Sequence, residues 1–219
     1  DPRYSSFRSF IKTGDYFGAK FCYETLPNEL DVFDTQTFKN SPEEFYVVCT
    51  DVNTGKPVYH QLKNGDAEDL IWMRASASMP LVSQTVQIDG LTLLDGGISD
   101  SIPLKFCQSL GAQKNLVVLT QPQGYKKSKN KLLPLIKRIY KKYPNLIQTM
   151  ANRHLMYNQE LEYVQSQVQN GNTFVLQPSK SLNISRTEHD SEKLQQMYDL
   201  GRKDALKNLD KIKEFFAEN

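Results

Sequence analysis

Cysteine is scarce in this sequence, and its spacing excludes several kinds of site. Three cysteines occur, Cys22, Cys49 and Cys107, and no two of them form a CxxC pair or stand with a histidine at zinc-ligand spacing. An odd number of widely separated cysteines also argues against a disulfide framework. We therefore expect a reducing, cytoplasmic environment.

Histidine is equally scarce, with three residues in the chain. None has a partner at the spacing of a metal site or a catalytic triad. We expect structural or surface roles for all of them: His60, His154 and His189. These absences give no reason to expect a metal site.

Long apolar runs and a strong excess of one charge are also lacking. No run of about 18 apolar residues occurs, so we expect no membrane-spanning helix, and there is no signal-peptide pattern. The formal net charge is +2, with 39% apolar and 24% charged residues, which fits a globular protein and gives no reason to expect a nucleic-acid partner. Asn183-Ile184-Ser185 matches the glycosylation sequon, and we interpret it as a chance match. Because the chain starts at Asp1 without a methionine, we expect a segment to precede it.

The order of the predicted elements indicates an α/β fold. Phe45–Thr50 and Val58–Leu62 are β-branched or aromatic stretches around a turn and predict a hairpin. A helix is predicted after the N-cap Asp66. Asn115–Thr120 is a nearly continuous apolar run, typical of a strand covered on both faces. This order favours an α/β fold with a mostly parallel sheet flanked by helices.

The pattern changes from about residue 130 onward and becomes mainly helical. One further strand is predicted at Thr173–Gln177, and an amphipathic helix at about Ser191–Phe216. We therefore predict two regions, a sheet-containing part over residues 1–125 and a mainly helical part over residues 126–219.

A second predicted hairpin positions the residue on which the functional argument depends. Asp89-Gly90 is the favoured dipeptide of a type I′ turn and separates two short apolar stretches. Because side chains alternate along a strand, Asp95 should share the apolar, buried face with Leu91 and Leu93. A buried carboxylate without partners costs several kcal/mol. Two interpretations stay open: a general base, or a turn aspartate that caps its own backbone before Gly96-Gly97.

Three segments follow one another in a distinctive order between residues 74 and 103. They are Arg74-Ala75-Ser76-Ala77-Ser78-Met79-Pro80-Leu81, then Ile88-Asp89-Gly90, then Leu94-Asp95-Gly96-Gly97-Ile98-Ser99-Asp100-Ser101-Ile102-Pro103. This order resembles the second half of the patatin-like phospholipases, in particular their bacterial intracellular branch. The resemblance implies a Ser-Asp dyad, in which a serine on a Gly-x-Ser-x-Gly elbow attacks a lipid ester and the aspartate of Asp-Gly-Gly is its base. It assigns the base to Asp95 and the backbone setting of the site to Gly96 and Gly97, with no metal or cofactor.

The nucleophile that the resemblance implies is not in this sequence. No Gly-x-Ser-x-Gly occurs, and no glycine-rich oxyanion loop; in the family both precede the matched part. Ser76 and Ser78 lie on a small-residue helix, so we expect them to serve helix packing. The sequence therefore predicts part of a serine lipid acyl hydrolase acting on glycerolipids or other acyl esters. Its serine would lie on a missing N-terminal segment, and this chain alone would be inactive.

Two alternative functions stay open at this point. One is a membrane- or lipid-binding module without activity, and the other is an acyltransferase that uses an acceptor other than water. Without the first strands of the family's fold, the sheet should have open edges and exposed apolar surface. We expect these to be covered by the N-terminal piece or by self-association.

Residues 125–142 form a strongly basic stretch. It contains eight lysine or arginine residues and no acidic residue. Leu132, Leu135, Ile136 and Ile139 fall on one helical face, which separates apolar from cationic groups. One interpretation is a peripheral membrane contact drawn to anionic lipid. The other is a solvated helix that packs its apolar stripe against the core.

Overall fold

The computed structural model describes residues 2–182, 184–185 and 187–217, so Asp1 and Asn183 of the sequon lie outside the described residues. The α-helices are α1 (Phe7–Thr13), α2 (Thr35–Asn40), α3 (Ala67–Ser76), α4 (Leu104–Ser109), α5 (Leu133–Ile139), α6 (Pro144–Gln169) and α7 (Ser191–Ala217). The strands are β1 (Phe45–Asp51), β2 (Pro57–Leu62), β3 (Val86–Ile88), β4 (Leu91–Asp95), β5 (Asn115–Val118) and β6 (Thr173–Leu176). A π-helical segment spans Phe21–Leu30 and a 3₁₀ turn spans Gly96–Ile98. The predicted α/β class and helical C-terminal region are confirmed.

The chain folds into two compact units. The first comprises Asp1–Ser101 and Ser128–Tyr157, and the second comprises Ile102–Lys127 and Asn158–Asn219. The first unit contains the sheet of β1 to β4, and the second contains the pair β5 and β6. The division at residue 125 that the sequence suggested stays a prediction.

The four-stranded sheet of the first unit has the order β2-β1-β4-β3, and all of its pairings are antiparallel. The expectation of mostly parallel strands does not hold for this sheet. Two of the three pairings, β1–β2 and β3–β4, are hairpins, whose short connections reverse the chain and leave no room for a crossover helix. Parallel pairing is found between β5 and β6 of the second unit.

Local sequence signals account for both hairpins and for the start of α3. Asp89 and Gly90 adopt positive φ angles of 51° and 73°, as a type I′ turn requires, and Ile88 pairs with Leu91 as predicted. The carboxylate of Asp66 caps α3 by accepting from the backbone N–H groups of the first turn. The two predicted hairpins, β1–β2 and β3–β4, and the predicted start of α3 after Asp66 are confirmed.

Strand β4 lies between two hydrophobic clusters. On one side Leu93 packs with Val47, Cys49, Leu62, Trp72, Ala75 and Val86. On the other side Leu94 packs with Val52, Ile98, Ile136, Tyr140, Leu146 and Met150. Leu93 and Leu94 are both 0% exposed, so the strand is buried on both faces at this point. The sequence predicted one buried face of β4, that of Leu91, Leu93 and Asp95, whereas the opposite face is also buried at Leu94.

The second unit differs from prediction at β5. Leu116 and Val118 are 40% and 65% exposed, so the prediction of a strand covered on both faces is wrong for the described residues. The strand predicted at Thr173–Gln177 is confirmed as β6. The amphipathic helix predicted at about Ser191–Phe216 is confirmed as α7. Within the described ranges, no helix has both the length and the apolar character needed to cross a membrane.

Candidate active site

Asp95 is the last residue of β4, and its backbone is fixed from both sides. It lies opposite Cys49 of β1, its N–H donates to the carbonyl oxygen of Ser78 at 2.9 Å, and its own carbonyl accepts from Thr50 Oγ1 at 2.8 Å. The carboxylate oxygen Oδ1 accepts from the backbone N–H of Gly97 at 2.7 Å. Asp95 is half-buried. The hydrogen bond from Gly97 shows that the aspartate caps its own turn, and its role as a general base stays a prediction.

The charge of Asp95 affects the pKa of the thiol of Cys49, which lies opposite Asp95 in the sheet. Burial, and after it the nearby carboxylate of Asp95, raises the pKa of Cys49 to about 12. Because only the thiolate is a good nucleophile, Cys49 is not a reactive cysteine near neutral pH.

The two glycines after Asp95 permit a close approach of the backbone. A Cβ atom on Gly96 would lie 2.1 Å from the carbonyl oxygen of Val48, and one on Gly97 would lie 3.0 Å from Asp95 Oδ1. Neither glycine has a positive φ angle. The requirement for glycine at position 96 is therefore one of space, and not one of left-handed backbone conformation.

Arg153 of α6 is part of this site and was missed by sequence reasoning. Its Nε donates a hydrogen bond to the carbonyl oxygen of Gly97. A Cβ atom added to Gly97 would lie 3.3 Å from Nη2 of Arg153. The same added atom would lie 3.0 Å from Oδ1 of Asp95. The guanidinium and the carboxylate thus lie on the same side of Gly97, within about 6 Å of one another, where opposite charges favour the ionised carboxylate. No local pattern in the sequence links two residues so far apart in the chain.

A second polar group of the Asp-Gly-Gly segment has a clear structural role. Asp100 Oδ2 accepts a hydrogen bond from the hydroxyl of Tyr59 at 2.6 Å, and the hydroxyls of Thr50 and Ser99 lie 2.8 Å apart. These contacts tie the 3₁₀ turn after β4 to β1 and β2. They hold the segment that contains Gly96 and Gly97 in place.

The alternative nucleophiles considered from the sequence are engaged in packing contacts. Ser76 Oγ donates to the carbonyl oxygen of Val48, and Ser78 Oγ donates to that of Arg74, both at 2.7 Å. His60 stacks on Trp72 with 3.9 Å between ring centroids, as expected of a structural histidine. In the part of the chain that the structure describes, no three His, Cys, Asp or Glu side chains could hold a metal ion together.

Comparison with known proteins yields two family matches. The family model of the patatin-like phospholipases matches residues 2–107, which include Asp95 and both glycines. A domain of unknown function, DUF6363, matches residues 143–217, which include Arg153. None of the curated proteins compared with this chain matches it.

Proposed function

Because residues 2–107 belong to the patatin-like phospholipases, we propose that the chain is part of a lipid acyl hydrolase in which Asp95 is the general base. The observation that supports this most is the placement of Asp95 at the end of a strand. Its carboxylate accepts a hydrogen bond from the N–H of Gly97, and a side chain on the preceding Gly96 would collide with the carbonyl oxygen of Val48. The substrates in this proposal are glycerolipids or other acyl esters.

The proposed chemistry needs a serine hydroxyl beside Asp95. Asp95 takes the hydroxyl proton while the serine oxygen forms a bond to the ester carbonyl carbon. The ester C–O bond then breaks, and the leaving alcohol takes up the proton from Asp95. Water attacks the acyl-serine in the same way, and the acid is released. Arg153 contributes by favouring the ionised state of Asp95 between these steps.

We propose that this serine belongs to another segment of polypeptide. Gly14 and Gly18 are the one pair of glycines four residues apart in the sequence, and Tyr16 stands between them, so no Gly-x-Ser-x-Gly is present. The exposed apolar side chains of Leu116 and Val118 on β5 support a further segment that packs there. In this proposal the chain by itself is inactive.

Fluorophosphonate labelling tests this assignment, because such reagents modify only activated serines. A longer polypeptide that contains a Gly-x-Ser-x-Gly segment should be labelled on that serine, and on neither Ser76 nor Ser78. The chain of 219 residues alone should take up no label. Labelling of Ser76 or Ser78, or labelling of the longer polypeptide that is equally fast in the Asp95→Asn variant, would contradict the proposal.

A contact with lipid surfaces is a second proposed activity, supported by the exposure of α5. Leu135 and Ile139 are 46% and 53% exposed, and so is Leu132 just before the helix at 54%, while Ile136 is buried in the core. The basic stretch over residues 125–142 thus combines one buried anchor with several exposed apolar side chains. We propose that a cytoplasmic protein contacts anionic membranes through this stretch.

Vesicle sedimentation tests the membrane contact. The double variant Leu135→Ser and Ile139→Ser should reduce binding to vesicles of anionic phosphatidylserine and leave the fold intact, since both residues are exposed. The control is Leu155→Ser, at a residue of α6 that is 52% exposed. Equal binding by the double variant and the control would rule out this surface.

A further inference from the structure

The first unit contains an apolar cavity that the proposed catalytic chemistry does not use. Its volume is about 300 Å³, and it is enclosed by the π-helical segment, the start of β1 and the first turns of α3. Most of its lining is aromatic or aliphatic, including Leu26, Phe33, Phe38, Phe45, Leu70 and Met73. This volume is at the lower end of the range of about 300–1,000 Å³ that is typical of small-molecule sites.

Part of the cavity lining is exposed apolar surface, and further exposed apolar residues are adjacent to it in the sequence. Phe33 and Phe45, which line it, are each 43% exposed. Leu30 and Val32, directly before Phe33 in the chain, are 55% and 70% exposed. Single exposed apolar residues are common, but a group of them around an apolar cavity is typical of a surface that meets an apolar ligand or a membrane.

The buried carboxylate in the cavity wall, that of Asp69, is already hydrogen-bonded to backbone N–H groups. Oδ2 of the buried Asp69 accepts from three backbone N–H groups, those of Lys63, Asn64 and Gly65, at 2.9, 2.7 and 2.6 Å. Among the described residues, the buried side-chain nitrogen and oxygen atoms without a hydrogen-bond partner belong to Trp72, Asn115, His154 and Thr173, none of which lines the cavity. A polypeptide in this cavity would leave its own backbone groups unpaired, whereas a hydrocarbon chain has none to satisfy.

We propose that this cavity binds a single fatty acyl chain, which enters beside the exposed lining residues Phe33 and Phe45. The site is distinct from that of Asp95. Phe45 and Cys49 lie on the same face of β1 four residues apart, so the cavity is about 13 Å along the strand from the carboxylate. Val47, Trp72 and Ala75 pack between the two places. The bound chain is therefore an anchor that holds the protein at a lipid surface, not the ester that is cleaved.

The binding claim is independent of catalysis, and the role as an anchor for a lipid enzyme rests on the proposed function. Cys22 lines the cavity and is half-buried, which gives a direct readout. Burial raises its pKa, so alkylation is measured at pH 8 to 9. In the Cys107→Ser variant, Cys49 stays buried and unreactive, and Cys22 is the one cysteine left to react with N-ethylmaleimide.

Laurate at increasing concentration should slow the alkylation of Cys22 at least tenfold, followed by intact mass. The apparent affinity should rise roughly tenfold from decanoate to laurate, because the two additional methylenes of laurate are buried and each adds to the transfer free energy. Lauroyl-lysophosphatidylcholine is the parallel ligand. Equal protection by both assigns recognition to the chain, and protection by laurate alone assigns the site to free fatty acids.

A filled cavity provides the matched control. Leu70→Trp should abolish protection, while the same substitution at the exposed Leu155 should leave it unchanged. If Leu70→Trp does not fold, Leu26→Phe is a smaller change in the same wall. Protection that is absent in the parent, or that persists in the filled variants, would overturn the proposal. In a longer polypeptide that contains a Gly-x-Ser-x-Gly segment, protection that is retained in Asp95→Asn together with lost hydrolysis would separate the two sites.

Discussion

Removal of the positive charge of Arg153 should make Asp95 easier to protonate. At the upper limit of about 6 Å for their separation and an effective dielectric constant of about 20, the attraction between the two charges is about 3 kcal/mol. Both side chains are half-buried, so solvent reduces this value. We expect at least about 1.4 kcal/mol to remain, which corresponds to about one pH unit. Arg153→Gln should therefore shift the protonation midpoint of Asp95 upward by about one unit, and Arg153→Lys should shift it much less.

The assay is a titration of carbon-13-labelled aspartate carboxyl groups by NMR, in which the Asp95 signal is identified by its absence from Asp95→Asn. It needs no enzymatic activity and so does not depend on the nucleophile. Arg153→Gln also loses the hydrogen bond to the Gly97 carbonyl, so near-native circular dichroism is the control for the fold. A midpoint that moves by less than about half a unit in a folded Arg153→Gln variant would refute the electrostatic role of Arg153.

Three further predictions concern stability and reactivity. Leu94→Ala should lower the free energy of unfolding by about 2–5 kcal/mol in urea denaturation, since the side chain is fully buried, whereas the exposed Leu155→Ala should change it by less than about 0.5 kcal/mol. Gly96→Ala should lower the free energy of unfolding, because its Cβ would clash with backbone. Gly201→Ala in α7, where the added Cβ has open space, should raise the free energy of unfolding by about 0.5–1 kcal/mol. Changes of the same sign in the two variants would contradict this reasoning. Because the pKa of Cys49 is raised in the folded state to about 12, its contribution to stability is present below the unfolded pKa of 9.0 and is lost as the pH rises toward 12. Between pH 9 and 11 the wild type should therefore lose about 1.4 kcal/mol more per pH unit than Cys49→Ala, and equal slopes would contradict the burial of a neutral thiol.

Local chemistry made much of the first unit predictable. The Asp89-Gly90 turn fixed the register of β3 and β4, and Asp66 marked the start of α3, because both signals act over a few residues. The same register predicts that Asp95 lies at the end of a strand.

Contacts between distant parts of the chain were not predictable in this way. The antiparallel pairing of Cys49 with Asp95 and the hydrogen bond from Arg153 to Gly97 join residues with no shared local pattern. The apolar run at β5 predicted burial on both faces, but apolar composition does not specify whether this chain or another polypeptide provides the cover. Alternation along β4 gave one buried face, and the second face followed only from the position of β4 between two clusters.

The most direct test of the central claim compares ester hydrolysis by two aspartate-to-asparagine variants of a polypeptide that also contains the Gly-x-Ser-x-Gly segment. Asp95→Asn removes the proposed base, and Asp89→Asn makes the same change in the turn of the same hairpin, where asparagine also tolerates the positive φ angle. We predict that kcat for a p-nitrophenyl ester falls at least about 100-fold in Asp95→Asn and stays near the wild-type value in Asp89→Asn. Turnover by Asp95→Asn equal to that of Asp89→Asn would show that the carboxylate at the end of β4 is not the base.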